Sequence, residues 1–293
     1  MRTGLTATVR GLTTDISDHI RYLFIADEGL GMAPLHRIVE RGPNQHGETD
    51  LGFRLDPRII NLVIGLFGED DSDYWDAREE LLAIFTPTRF PITPTFTLPN
   101  GKVRAIDVHV EKDMALPSGN RRRIAHNVGV QLRGSEPTFY DPTLQSIAFG
   151  LGGAAAPWNI PMAVPTPVGK TSIDQVRTFT YPGSFLSNPV IKITGPITNP
   201  KVINITTGET LDLTGITISA GDFYEIDTRF ARKTVVDAAG VNRYDKVTGD
   251  LSTFHLAGHP EALGGLNDLR VSGSGITAAT EIYLSFYLRY VGI

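Results

Sequence analysis

Residues 190–229 read VIKITGPITNPKVINITTGETLDLTGITISAGDFYEIDTR, a series of short alternating runs each closed by glycine, proline or a small polar residue. Successive strand side chains point to opposite faces, so this alternation describes strands with one buried and one exposed side. Strands are expected at 190–194 and 201–206, separated by a turn shaped by Gly195, Pro196, Asn199 and Pro200. A tight link at Gly208 leads to 209–213, a second turn at Thr214-Gly215 leads to 216–219, and Gly221 opens the run 222–229. Ile191, Ile193, Val202, Leu211, Leu213 and Ile226 fall on the core side. Asp222 reads as a turn residue, and Asp227 and Arg229 as a pair on one strand face that bonds to neighbouring strands or loops. Such spacing indicates an antiparallel sandwich.

The rest of the chain supports a mainly β reading. Its 30 glycines and 19 prolines among 293 residues suit many short strands. The run INLVIGLFG (60–68) reads as a buried strand. It is followed by EDDSDYWDAREELLAIFTP, where Ser72 or Asp73 caps a helix over 73–84 that Pro87 stops. Tyr74, Trp75, Arg78, Leu81, Leu82 and Phe85 recur there at helical spacing. Asn100-Gly101 between β-rich arms is a hairpin signal. In AHNVGVQLRG, Val128, Val130 and Leu132 share a face. The closing EIYLSFYLRYV reads as one strand, with Ile282, Leu284, Phe286, Leu288 and Tyr290 on its apolar side. The Gly/Ala/Pro-dense stretch 150–169 breaks regular pairing. The expected organisation is an N-terminal β-rich domain with one helix (1–145), a junction (146–169) and a C-terminal β-sandwich (170–293).

Chemistry is hard to find. No cysteine is present, which removes thiolate catalysis and thiolate metal ligation. A formal charge of −5 is opposite in sign to a typical nucleic-acid binder. No run approaches the ~20 apolar residues of a membrane span, and MRTGLTATVRG lacks the apolar core of a secretory signal. Gly169-Lys170-Thr171 ends like a phosphate-binding loop but lacks the glycine five residues upstream. His255 and His259 are four apart, yet Gly258 and Pro260 oppose a helix that would bring them together. The carboxylates of GEDDSDYWDAREE are accounted for by helix capping and a solvated helix face, and the basic cluster NRRR (120–123) by a hairpin tip. Tyr224, Tyr283 and Tyr287 are the candidates for stacking a sugar ring, although packing on a strand face is the commoner role of such aromatics. No catalytic, cofactor-binding or metal-binding residue is expected.

The combination GPITNPKVINITTGETLDL, AGDFYEIDTR and NRYDKVTGDLSTFHLAGHPEALGGLN resembles the C-terminal part of distal tail proteins of long-tailed, non-contractile bacteriophages. The order of NLVIGLFG, DYWDAREELLAIFTP and KVRAIDVHVEK is similar to their N-terminal part. The resemblance implies a structural protein of the virion at the distal end of the tail. It implies an N-terminal domain forming a ring, typically hexameric, and a galectin-like C-terminal sandwich. The implied partners are further copies of the chain, the tail tube protein, the hub with its fibre or lysin, the tape-measure protein and receptor-binding proteins. The loops here stay short, without an inserted carbohydrate module, which argues against direct binding of host glycans. A sugar-binding adhesion module, or a baseplate protein of a tail-like particle such as a gene transfer agent, are the alternatives.

Overall fold

The computed structural model describes residues 4–116, 119, 122–150 and 172–293. The fold is mainly β and its sheets are antiparallel. The chain divides into two units, Met1–Pro142 with Tyr290–Ile293, and Thr143–Arg289. The stretch 151–171, which holds most of the expected junction and the Gly169-Lys170-Thr171 motif, lies outside the described residues, as do Asn120 and Arg121.

Unit 1 contains β1 (Gly4–Val9), β2 (Leu12–Asp15), β3 (Tyr22–Glu28), β4 (Leu35–Glu40), β5 (Thr49–Leu55), β6 (Arg58–Phe67), α1 (Asp71–Ile84), β7 (Ile92–Thr97), β8 (Val103–Ala105), β9 (His109–Val110), β10 (Ala125–Gly134) and β11 (Phe139–Tyr140). One sheet runs β2-β1-β7-β8-β11 and ends on a late strand, β23, described below; a second runs β3-β6-β10-β9. Among the described residues, β4 and β5 pair only with each other. Arg58, Ile60, Leu62, Ile64 and Leu66 of β6 are all buried, as are Val128, Val130 and Leu132 of its partner β10. Leu5, Phe96 and Phe139 meet them from the first sheet. The Asn100-Gly101 hairpin joins β7 to β8, with Gly101 at φ +77° and the Asn100 side chain accepting from the Lys102 N–H.

Helix α1 begins two residues earlier than its apolar periodicity suggests. Asp70, and neither Ser72 nor Asp73, is the N-cap: its carboxylate accepts the Asp73 N–H, while the Asp73 carboxylate accepts the Glu69 N–H. This reciprocal arrangement satisfies two otherwise orphaned donors. The buried stripe is Tyr74, Ala77, Leu81 and Ile84. Trp75, expected on that stripe, stays exposed with the Arg78 guanidinium over its ring.

Unit 2 contains β12 (Gln145–Gly150), β13 (Ser172–Thr180), β14 (Val190–Thr194), β15 (Ile197–Asn204), β16 (Glu209–Asp212), β17 (Thr217–Ile218), β18 (Phe223–Asp227), β19 (Thr234–Asp237), β20 (Thr248–Gly249), β21 (Leu266–Ser274) and β22 (Glu281–Phe286). One sheet runs β12-β22-β14-β18-β19 and the other β13-β21-β15-β16-β20. They share a core to which Ile191, Ile193, Ile226, Ile282 and Leu284 contribute from the first sheet, and Val202, Leu211, Leu269 and Val271 from the second. All six core residues expected from 190–229 are fully buried.

The stretch 190–229 is not a simple meander, however. β14 and β15 lie in different sheets, so Gly195-Pro196 is a crossing between layers. Only Gly fits there, because a Cβ on Gly195 would lie 2.2 Å from the Ser219 carbonyl oxygen. Asn199 and Pro200, expected in the turn, lie inside β15 at a register shift against β21. Asn199 sits at φ +53° and its side chain accepts the Gly215 N–H at 2.7 Å. The feature is therefore a bulge that continues the strand.

The closing segment also departs from the single strand expected. β22 stops at Phe286, and β23 (Arg289–Tyr290) joins the first sheet of unit 1. Ile282, Leu284 and Phe286 enter the sandwich core and Leu288 packs against it, whereas Tyr290 packs against the core of unit 1. Alternation fixes which residues share a face within a strand; it does not reveal where the strand breaks.

Candidate functional site

The residues singled out in the sequence disperse over unit 2. Gly208 (φ +77°) closes the β15–β16 hairpin, and Gly221 (φ +83°) makes the turn before β18. The Pro196 carbonyl accepts the Thr280 hydroxyl, and the Asp222 carboxylate accepts the Phe223 N–H. Asp227 ends β18, and Arg229 lies beyond it. They bond to each other rather than to neighbouring strands: the Arg229 guanidinium donates to both Asp227 oxygens at 2.9 and 2.7 Å. Burial opposes the Asp227 charge, but the Arg229 bonds outweigh it and hold its pKa below the usual carboxylate value.

The three tyrosines do not form one stacking surface. Tyr224 pairs in register with Ile193 and packs against the sandwich core. Tyr283 pairs with Lys192, on the opposite face of the same sheet. Tyr287 follows the end of β22, where its carbonyl accepts the Ser187 hydroxyl. One sheet cannot present Tyr224 and Tyr283 to the same ligand, because adjacent positions along a strand face opposite ways.

His255 has a structural setting. Its Nδ1 lies 3.2 Å from Glu209 Oε1 and 2.9 Å from the Thr253 carbonyl, and its Nε2 lies 3.0 Å from Glu261 Oε1. Burial disfavours the imidazolium, yet these acceptors outweigh burial and raise the pKa to about 9. His255 is thus a cation clamped between carboxylates, pinning the loop before Leu256 to β16.

Two features of unit 1 escape a reading by local pattern. The first is Arg58, which occupies the first core-facing position of β6, in phase with Ile60, Leu62, Ile64 and Leu66. Its guanidinium donates to the carbonyls of Pro137 at 2.7 Å and of Gly29, Gly31 and Val291 at 2.6 Å each. The Phe139 ring lies beneath it at 4.6 Å. Burial lowers its pKa to about 10. An arginine at the head of an apolar period-two run is the sequence signal for such a knot.

The second is the β4–β5 hairpin. Every residue of β4 is exposed, and Leu35, Ile38, Val39, Leu51 and Phe53 leave 41–57% of their surfaces open. Leu35 pairs with Leu55, Arg37 with Phe53 and Val39 with Asp50, so one face carries an apolar stripe interrupted by an Arg37–Asp50 ion pair. Arg37 meets Asp50 at 2.7 Å on the same hairpin. Exposed apolar area of this kind marks an interaction surface more often than a solvated one.

These surfaces can bind and brace. Residues 29–125, which include the hairpin and α1, match the profile of the phage tail protein RIFT-related domain. The chain as a whole has the fold of a distal tail (Dit) protein: SPP1 Dit, whose structure is described as a paradigm of the hub adsorption apparatus in phages infecting Gram-positive hosts, matches at a TM-score of 0.63. That likeness covers 98% of this chain and 99% of the other at 13% identity. A chain of the phage P2 baseplate in its activated conformation with calcium matches at a TM-score of 0.50, over 96% and 97% of the two chains, at 10% identity. At such identities the likeness establishes the fold. No curated protein matches the sequence.

Proposed function

We propose that this chain is a structural component of a phage tail tip, forming a ring of six copies that joins the last ring of the tail tube to the hub. The observation that carries this reading is the conjunction of a phage tail domain at 29–125 with a Dit-like fold over nearly the whole chain. Unit 1 supplies the ring, and unit 2, a galectin-like sandwich, stands as a platform for receptor-binding or fibre proteins. The tail tube protein, the hub with its fibre or lysin, and the tape-measure protein are the remaining partners, and DNA passes through the ring during delivery. A closed ring needs two different surfaces on each subunit, one complementary to the other. The β4–β5 hairpin, which pairs with no other strand among the described residues and carries an apolar stripe, is suited to be one of them. Mass photometry and negative-stain electron microscopy of the purified protein test the reading. Closed rings are expected; a particle that stays monomeric at micromolar concentration overturns it.

A further inference from the structure

Unit 1 is discontinuous in the chain: it consists of Met1–Pro142 and Tyr290–Ile293, and the whole of unit 2, Thr143–Arg289, lies between them. The short segment is built into unit 1 at every residue. Tyr290 lies in β23, which pairs with β11 at the end of the first sheet, and the Arg104 guanidinium sits 3.6 Å over its ring. The Val291 carbonyl accepts from Arg58 at 2.6 Å. Gly292 lies flush against Gly31, where a Cβ would come within 2.6 Å of the Gly31 carbonyl oxygen. The Ile293 N–H donates to the Leu30 carbonyl at 2.9 Å, and the Tyr290 and Ile293 side chains pack against the unit 1 core. Main-chain bonds at a sheet edge, with side-chain sites alongside, are how a sheet captures an extended peptide. Here receptor and peptide belong to one chain, and the pattern received is an aromatic residue, any residue, glycine and an aliphatic residue.

Unit 2 has no such dependence. Every strand of its two sheets comes from Thr143–Arg289. Its last residue is also fixed within it: the Arg289 N–H donates to the Tyr181 hydroxyl at 2.8 Å, and the Arg289 carbonyl accepts the Phe185 N–H at 3.2 Å. Folding of unit 2 therefore delivers Tyr290 with no free residue before it. Without the segment, β11 is left with an open edge and Arg58 with one acceptor fewer. We propose that unit 1 is closed by this donated strand and so reaches its final form after unit 2, although it is synthesised first. The usual order along a chain is the reverse. The device ties completion of unit 1 to completion of unit 2, so that a chain interrupted within unit 2 cannot supply a finished unit 1.

Pulse-labelling hydrogen exchange during refolding of the full chain tests the order. Amides of β14, β18 and β22 are expected to gain protection first, and those of β8, β11 and Ile293 in a later phase. Protection of β8 and β11 before unit 2, or together with it, overturns the proposal. Gly292→Val in the full chain gives a second readout, because the added side chain cannot lie against Gly31. Native-state exchange is expected to rise at β8 and β11 and to stay at the wild-type level in β14, β18 and β22. A synthetic peptide of residues 288–293 restores the lost protection saturably, and the same peptide carrying Gly292→Val does not. Unchanged exchange at β11 in the variant, a rise that extends to unit 2, or equal action of the two peptides each overturns the proposal.

Discussion

The clamp around His255 makes the stability of unit 2 depend on pH in a calculable way. Protonated His255 is held by the largely buried Glu209, with 12–13% of either side chain exposed, and by the more exposed Glu261. Its pKa rises from an ordinary 6.5 to about 9 on folding. At 1.36 kcal/mol for each tenfold change, the difference amounts to about 3 kcal/mol. The folded state binds the proton more tightly than the unfolded state. The stabilisation is therefore fully present below pH 6.5, fades above it, and is gone once the pH has risen through about 9. For a unit of this size, about 3 kcal/mol corresponds to roughly 6–12 °C in Tm. The assay is differential scanning calorimetry of the full chain at about pH 6 and about pH 9.5, on either side of the window. The wild type is expected to lose stability between the two. His255→Gln, which cannot be charged, starts lower and loses much less. A variant with the same pH dependence as the wild type would refute the assignment of that proton to His255.

Two further substitutions probe the frame. Arg58→Met leaves four carbonyls without their donor, at about 1–3 kcal/mol each, while relief of the buried charge returns about 3 kcal/mol, for a net loss of about 1–9 kcal/mol. Urea unfolding measures it, and a loss below about 1 kcal/mol would show that the knot is dispensable. Gly195→Ala drives a Cβ into the backbone of Ile218 and Ser219 and is expected to cost about 1–3 kcal/mol by the same measurement; wild-type stability would mean that the crossing has room to yield.

How much of this was legible in the sequence depends on the range of each interaction. The expected core residues of 190–229, the faces of β6 and β10, the helix and the Asn100-Gly101 hairpin all follow from contacts within a few residues, where periodicity and turn chemistry decide. Asp70 as N-cap needed only the reciprocal bond with Asp73, a local signal that the stronger apolar periodicity overrode. The tyrosines show where local pattern stops. Alternation places Tyr224 and Ile226 together on one face of β18, but register across strands decided that this face is the core and that Tyr283 points the other way.

What the sequence by itself determined is therefore the β texture of the chain, the apolar side of each strand and the absence of thiol chemistry. Tertiary structure alone decided that β14 and β15 part into different sheets at Gly195, that Tyr290–Ile293 belong to unit 1, and that Arg58 gathers carbonyls from Gly29, Gly31, Pro137 and Val291. The physical reason is the same in each case. A strand has two edges and a buried cation needs several acceptors, and the groups that satisfy them come from positions tens to hundreds of residues away, chosen by the packing of the whole unit.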